Sequence, residues 1–129
     1  MNLGYIKVGA ISPQIKVADV EFNLSSIKKG IDLAIEKGVK VLVFPELCLT
    51  GATIGDLFYS KTLLDRAKDA LIKMAEYTSG KNLLVFVGLP LQVDGAIYNV
   101  CAGVSDGTIL GIVPKSFISP EAEIGIIPS

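Results

Sequence analysis

The sequence predicts an α/β fold, and three features of the chain support this prediction. Its elements follow the order βαβαβββ, its strand segments are nearly continuous apolar runs, and its helical segments carry apolar residues three and four positions apart. Continuous apolar runs are typical of strands that are covered on both faces, and the helical spacing is typical of helices that pack one face against a sheet. At 129 residues, half of them hydrophobic, the chain has the length of one ordinary domain with a single core.

The first half of the chain alternates strand and helix. Each predicted strand ends at a proline, and the first helix has a capping residue before it and a glycine after it. The predicted elements are a strand at 5–11, a helix from its cap at Asp19 to the stop at Gly38, a strand at 39–44, and a helix at 62–77.

In the second half of the chain, the sequence pattern predicts strands only. Residues 82–91 form a buried strand, and residues 96–104 and 108–113 form a hairpin whose two-residue turn is Asp106-Gly107. The final stretch, SPEAEIGIIPS, has no clear period. Because no repeat or linker interrupts residues 1–129, we assign them to one domain.

Composition excludes several classes of function. With 12 Lys and Arg against 13 Asp and Glu and no run of like charge, nothing favours a nucleic-acid or membrane partner. The chain has no histidine, which excludes imidazole as catalytic base or metal ligand. Two cysteines without a secretory signal predict a reducing, cytoplasmic setting.

The order of several motifs along the chain is similar to that of a known family. FPELCLTG, which contains Glu46, is followed by GDLF, by the Asp-Gly hairpin and by VPKSF, which contains Lys115. This order resembles the nitrilase, or carbon–nitrogen hydrolase, superfamily, and within it the glutaminase domains of glutamine-dependent NAD synthetases. The resemblance covers roughly residues 3 to 117 and is stronger than either motif alone.

The resemblance implies a fold and a chemistry. It implies an αββα sandwich, of which this chain would be the N-terminal half, and amide hydrolysis by a Glu-Lys-Cys triad. Carried onto this sequence, the glutamate is Glu46 and the lysine is Lys115, and the substrate is glutamine or another small amide. No cofactor is implied for this span, whereas ATP would act in a following synthetase domain.

Without the resemblance, the same residues are also consistent with purely structural roles. A glutamate after a proline at a strand end is more often a solvated turn residue, and Lys115 alone is most simply a surface lysine. Cys48 lies between two leucines, which is typical of a buried apolar residue. Gly51 and Gly55 are most simply turn residues, because GATIG lacks the lysine of a phosphate loop.

The sequence also departs from the family pattern. The family's nucleophilic cysteine lies downstream of the lysine motif and is absent from these residues, which predicts either a piece of a longer chain or a genuine short relative, and we favour the piece. Ala52, Ile54 and the segment SFISPEAE differ from the residues usual in the synthetases. The alternative functions are an amidase that releases ammonia to solvent and a binding or assembly module without catalysis.

Three structural expectations follow. Both helices should lie on one side of the sheet. Glu46 and Lys115 should end adjacent strands with their charged groups converging on one carbonyl. The chain should form a homo-oligomer, because its strands are too few to cover the inner sheet face of a sandwich.

Overall fold

The computed structural model describes residues 7–16, 19–45, 48–50 and 61–120, and it contains one mixed sheet and two helices. The predicted element order is confirmed. The elements are β1 (Val8–Ala10), α1 (Val20–Glu36), β2 (Val41–Val43), α2 (Lys61–Tyr77), β3 (Leu84–Val93), β4 (Ala96–Ser105) and β5 (Thr108–Pro120).

The sheet changes from parallel to antiparallel pairing at β3. Its strand order is β1-β2-β3-β4-β5; β1, β2 and β3 pair in parallel, and β3, β4 and β5 form an antiparallel meander. The parallel pairs are joined through helices, as such crossovers require. The antiparallel pairs are joined by two-residue turns, Asp94-Gly95 and Asp106-Gly107, in which all four residues have positive φ. These are the turns that the right-handed twist of hairpin strands favours.

Helix α1 begins and ends where the sequence predicts. The Asp19 side chain accepts a hydrogen bond from the backbone N–H of Phe22 at 3.0 Å, which satisfies one of the free donors of the first turn. At the other end Gly38 has φ +74°, a conformation that glycine adopts without steric cost. The cap and the glycine together fix how the chain enters and leaves this helix.

Both helices lie on the same side of the sheet, as expected. They contact each other through Tyr77 of α2, whose hydroxyl donates to the Asp32 carboxylate of α1 at 2.7 Å. Lys28 of α1 also lies over the Tyr77 ring, 5.2 Å from its centre. Neighbouring helices on one sheet face form the outer layer of a two-layer α/β unit.

The core lies between the helices and one sheet face. It contains fully buried side chains from both layers, of which the largest are Ile27, Ile31, Leu42, Leu49, Leu71, Met74, Leu83 and Leu89. Among the described residues, neither helix has the length and apolar character needed to cross a membrane.

The opposite sheet face is covered only in part, which corrects the expectation of cover on both faces. Leu42 is fully buried beneath the helices, whereas its neighbour Val43 points the other way and is 41% exposed. The edge strands β1 and β5 also have exposed apolar side chains, since Val8 is 63% and Val113 61% exposed. Toward the Asp94-Gly95 turn the same face is buried at Ile97 and Asn99. The apolar pattern of β2 thus reflects one buried face and one exposed apolar face.

Candidate active site

Lys115 lies within β5 at an irregularity of the strand pairing. Val100 of β4 pairs with Pro114 and the preceding Asn99 pairs with Ser116, so that Lys115 is an extra residue between them. Such a bulge bends the strand and redirects a side chain, and bulges are frequent beside active sites. The Lys115 side chain is exposed. The bulge therefore places an exposed ammonium on the long edge strand of the sheet.

Glu46 lies outside the described residues, so its distance from Lys115 stays a prediction. The strands concerned are nevertheless described, and the expectation that these residues end adjacent strands is wrong. Glu46 follows β2, whereas Lys115 lies inside β5, and β3 and β4 separate those strands in the sheet. At ~4.8 Å between neighbouring strands, β2 and β5 are about 14 Å apart. Convergence of the two charged groups would therefore depend on the loop after β2 and on the length of the lysine side chain.

Leu49, in the loop after β2, is attached to α1 by Asn23 and to the sheet by Gly88. The Asn23 side chain is fully buried in the first turn of α1, and its amide donates to the backbone oxygens of Leu49 at 3.0 Å and Lys16 at 2.8 Å. Its side-chain oxygen accepts from the Lys16 N–H at 2.7 Å. The Leu49 N–H reaches the Gly88 oxygen of β3 at 3.5 Å. A buried, satisfied amide of this kind holds Leu49 in a fixed position.

Cys48 belongs to the same loop and is not a reactive thiol. It is 2% exposed, and burial raises the pKa of its thiol from 9.0 to about 12. At neutral pH only about one such thiol in 10⁵ is ionised, and the thiolate is the nucleophilic form. The structure thus agrees with the interpretation of Cys48 as a buried apolar residue.

We expect the two cysteines to differ sharply in thiol labelling. Cys101 is half-buried on β4, whereas Cys48 is enclosed and protonated. A maleimide or disulfide reagent should therefore modify one thiol per native chain and two per unfolded chain, as mass spectrometry can count. Raising the pH from 7 to 9 should leave Cys48 unlabelled, because its pKa lies above this interval. Labelling of Cys48 in the native chain of a Cys101→Ala variant would contradict this assignment.

Asn99 is a polar residue near Lys115 that sequence reasoning missed. It is 2% exposed, and its side-chain oxygen has no hydrogen-bond partner among the described residues. The pairing of β4 with β5 places it directly beside the bulge that contains Lys115. An unsatisfied buried oxygen is costly and uncommon in folded proteins, and a functional role is one explanation for it. The sequence feature that could have identified Asn99 is its position as the single amide within the apolar strand AIYNVCAGV.

We expect Asn99→Leu to stabilise the chain. The substitution keeps a similar volume and removes a buried oxygen that has lost its water without gaining a donor, so that the free energy of unfolding should rise by ~1 kcal/mol. Asn23→Leu is the matched control, because it removes a buried amide that makes three hydrogen bonds and should cost ~3 kcal/mol. Urea unfolding of both variants tests this, and a loss of stability in Asn99→Leu comparable to that in Asn23→Leu would show that Asn99 is satisfied.

The described residues contain no group of three Cys, Asp or Glu side chains that could hold a metal ion. The expectation that this span carries no cofactor stays a prediction.

Comparison with known proteins identifies the family. The model of the carbon–nitrogen hydrolase family matches residues 7–122. The chain belongs to this family. Among curated relatives, the glutamine-dependent NAD(+) synthetase of Mycobacterium bovis is 31% identical over 120 residues, and that of Aquifex aeolicus is 35% identical over 102 residues. These alignments cover 93% and 79% of this chain and 18% of each relative, so that the chain spans less than a fifth of their length.

Solved structures of a synthetase and of an amidase share this fold. A glutamine-dependent NAD(+) synthetase from Cytophaga hutchinsonii superposes with a TM-score of 0.76 at 29% identity, over 83% of this chain and 18% of that one. An amidase from Nesterenkonia sp. superposes with a TM-score of 0.75 at 19% identity, over all of this chain and 50% of that one. The predicted nitrilase-like α/β fold is therefore confirmed.

Proposed function

We propose that this chain forms the N-terminal part of a glutaminase domain that supplies ammonia for NAD synthesis. The observation that carries the proposal is the 31% identity with a glutamine-dependent NAD(+) synthetase along 93% of the chain. The fold alone does not separate this function from that of an amidase, because the Nesterenkonia amidase is equally similar in structure.

In the proposed reaction, Glu46 is the general base and acid. A thiolate attacks the glutamine carboxamide, so that one group has to accept the thiol proton and later return it to the departing ammonia. Both transfers are served best by a carboxylate whose pKa burial raises toward neutrality. The hydrogen bonds of Asn23 support this assignment, because they hold Leu49 of the same loop against α1.

Lys115 is the proposed stabiliser of the tetrahedral intermediate. The carbonyl oxygen becomes negatively charged when the thiolate adds, and a preorganised ammonium beside it commonly lowers the barrier by a few kcal/mol. The bulge in β5 supports this role, because it interrupts regular pairing at this residue. The uncharged side-chain oxygen of Asn99 belongs to β4, the strand that pairs with β5.

The nucleophile of the proposed reaction is a cysteine outside these 129 residues. Cys48 is buried with a pKa of about 12, and Cys101 lies in the middle of β4. The Nesterenkonia amidase provides an analogy, since acrylamide adds to an active-site cysteine in one of its structures.

A chimaera tests the proposal. The corresponding N-terminal segment of the Mycobacterium bovis synthetase is replaced by residues 1–129, and NAD formation is measured with glutamine and with free ammonia as nitrogen source. We expect Glu46→Gln and Lys115→Met each to lower the glutamine-dependent rate at least ~100-fold and to leave the ammonia-dependent rate unchanged. Lys73→Met, at another exposed lysine, is the matched control.

Three other outcomes would contradict the proposal. Equal glutamine-dependent rates in all variants would exclude Glu46 and Lys115 as catalytic groups. Hydrolysis of simple aliphatic amides in preference to glutamine would favour the amidase. An active ammonia-dependent reaction without any glutamine-dependent reaction would favour a module without catalysis.

A further inference from the structure

The side-chain oxygen of Asn99 is buried among neighbours that offer it little hydrogen bonding. Across the sheet Asn99 pairs with Pro90 of β3, whose side chain has no donor. The next residues of β4 on the same face are Ile97, which is fully buried, and Cys101, whose thiol is a weak donor. An amide oxygen in such surroundings has lost its water without gaining a partner, and this costs stability.

Lys115 lies on the same face of the sheet as Asn99. Tyr98, Val100 and Pro114 line one apolar cavity and therefore share the other face. Because side chains alternate along a strand, Asn99, which lies between Tyr98 and Val100, belongs to the face opposite that cavity. Lys115, which follows Pro114, belongs to that face as well. The pairing of β4 with β5 makes the two residues direct neighbours.

We propose that Asn99 is a positioning residue for Lys115, and that its oxygen accepts a hydrogen bond from the ammonium when the complete active site excludes water. The inference rests on the proposed function, in which Lys115 stabilises the tetrahedral intermediate. Residues that face each other on neighbouring strands have Cβ atoms about 5 Å apart, and the long, flexible stem of a lysine covers such a distance. In the described structure the bond is not formed, because Lys115 is exposed and the oxygen is unpaired.

An amide oxygen suits this role better than a carboxylate. A donor stabilises a developing negative charge most when its direction is fixed before the reaction. The neutral oxygen of Asn99 would fix the direction of the ammonium and leave its positive charge undiminished, whereas a carboxylate would neutralise that charge. An ammonium has several N–H groups, so that those not bound to Asn99 stay available to the substrate oxygen.

Gln92 is the rival donor among the described residues of this face. Its neighbours Leu91 and Val93 line the apolar cavity, so the Gln92 side chain lies on the face of Asn99. It pairs with Ile97 and is therefore a diagonal neighbour of Asn99, at a distance of about 7 Å. Its amide does not reach the Asn99 oxygen in the structure. Lys115 is the stronger candidate, because it is directly adjacent and a charged donor makes the stronger bond.

The proposal predicts opposite effects of one substitution on stability and on activity. In the isolated chain Asn99→Leu removes an unpaired oxygen and should raise the free energy of unfolding. In the complete active site the same substitution removes the acceptor that orients Lys115. A residue with a merely structural role would lower stability and activity together, whereas a residue kept for function can reduce stability.

The same chimaera, assayed for NAD formation, tests the proposal through kcat and KM for glutamine. We expect Asn99→Leu to lower kcat ~10- to 100-fold and to leave KM and the ammonia-dependent rate unchanged, because the hydrogen bond acts in the transition state. Added to Lys115→Met, it should cause no further loss, because Asn99 acts only through the lysine. Gln92→Met is the matched control and should keep the wild-type kcat.

The outcomes separate this inference from the proposed function. A Lys115→Met variant with the wild-type glutamine-dependent rate would remove the proposed function, and the inference with it. A strong effect of Lys115→Met beside a wild-type kcat in Asn99→Leu would overturn the inference alone. So would an equal loss from Asn99→Leu with and without Lys115, a fall of KM-independent activity in Gln92→Met as large as in Asn99→Leu, or a lower urea midpoint of the Asn99→Leu chain.

Discussion

The purified 129-residue chain is expected to release no ammonia from glutamine. In the proposed reaction Glu46 moves a proton and Lys115 stabilises a charge, and neither forms the bond to the substrate carbonyl. Catalytic groups that act as a unit depend on their nucleophile, and its loss alone removes a factor on the order of 10⁴ to 10⁶ in rate. A coupled assay for ammonia should therefore give the same rate with and without the chain.

Variants distinguish this expectation from a hidden activity of Cys48. Glu46→Gln and Cys48→Ala should both match the wild type at background, because burial keeps the Cys48 thiol protonated with a pKa of about 12. Turnover in the wild type that disappears in Cys48→Ala would contradict the assignment of the nucleophile to a cysteine outside this span. Turnover that persists in Cys48→Ala would point to a contaminant or to Cys101.

Local chemistry predicted most of the elements. Asp19 and Gly38 mark the ends of α1 because a side-chain acceptor and a residue free to adopt positive φ act within one turn of the chain. The same logic identified the turn at Asp106-Gly107 but overlooked Asp94-Gly95, an identical signal that makes β3 and β4 a second hairpin. The predicted strand covers 108–113, yet β5 continues through Pro114 because an edge strand does not need every N–H.

The candidate site was less predictable because it depends on sheet order. The motifs around Glu46 and Lys115 indicate residue types and their sequence separation, whereas the number of strands between them depends on how β3, β4 and β5 pair. The burial of individual strand residues was also difficult to predict. The pattern of 39–44 indicates an apolar strand, but only the packed structure shows that Leu42 is enclosed and Val43 is exposed.

Ile31→Ala is expected to cause a large loss of stability. The Ile31 side chain is fully buried between this helix and the sheet, and its truncation removes apolar contact and leaves a cavity. Such substitutions cost 2–5 kcal/mol, and we expect ~3 kcal/mol here. Because a domain of this size is typically stable by about 5–15 kcal/mol, the urea midpoint should fall by a large fraction of its value.

Leu33→Ala provides the control within the same helix. Leu33 is 44% exposed, so its truncation leaves no enclosed cavity and should change the free energy of unfolding by less than ~1 kcal/mol. Both variants retain the helix propensity of α1, since alanine is the best helix former, and the difference between them therefore measures burial. Equal losses in the two variants would mean that α1 does not pack on the sheet through the face that contains Ile31.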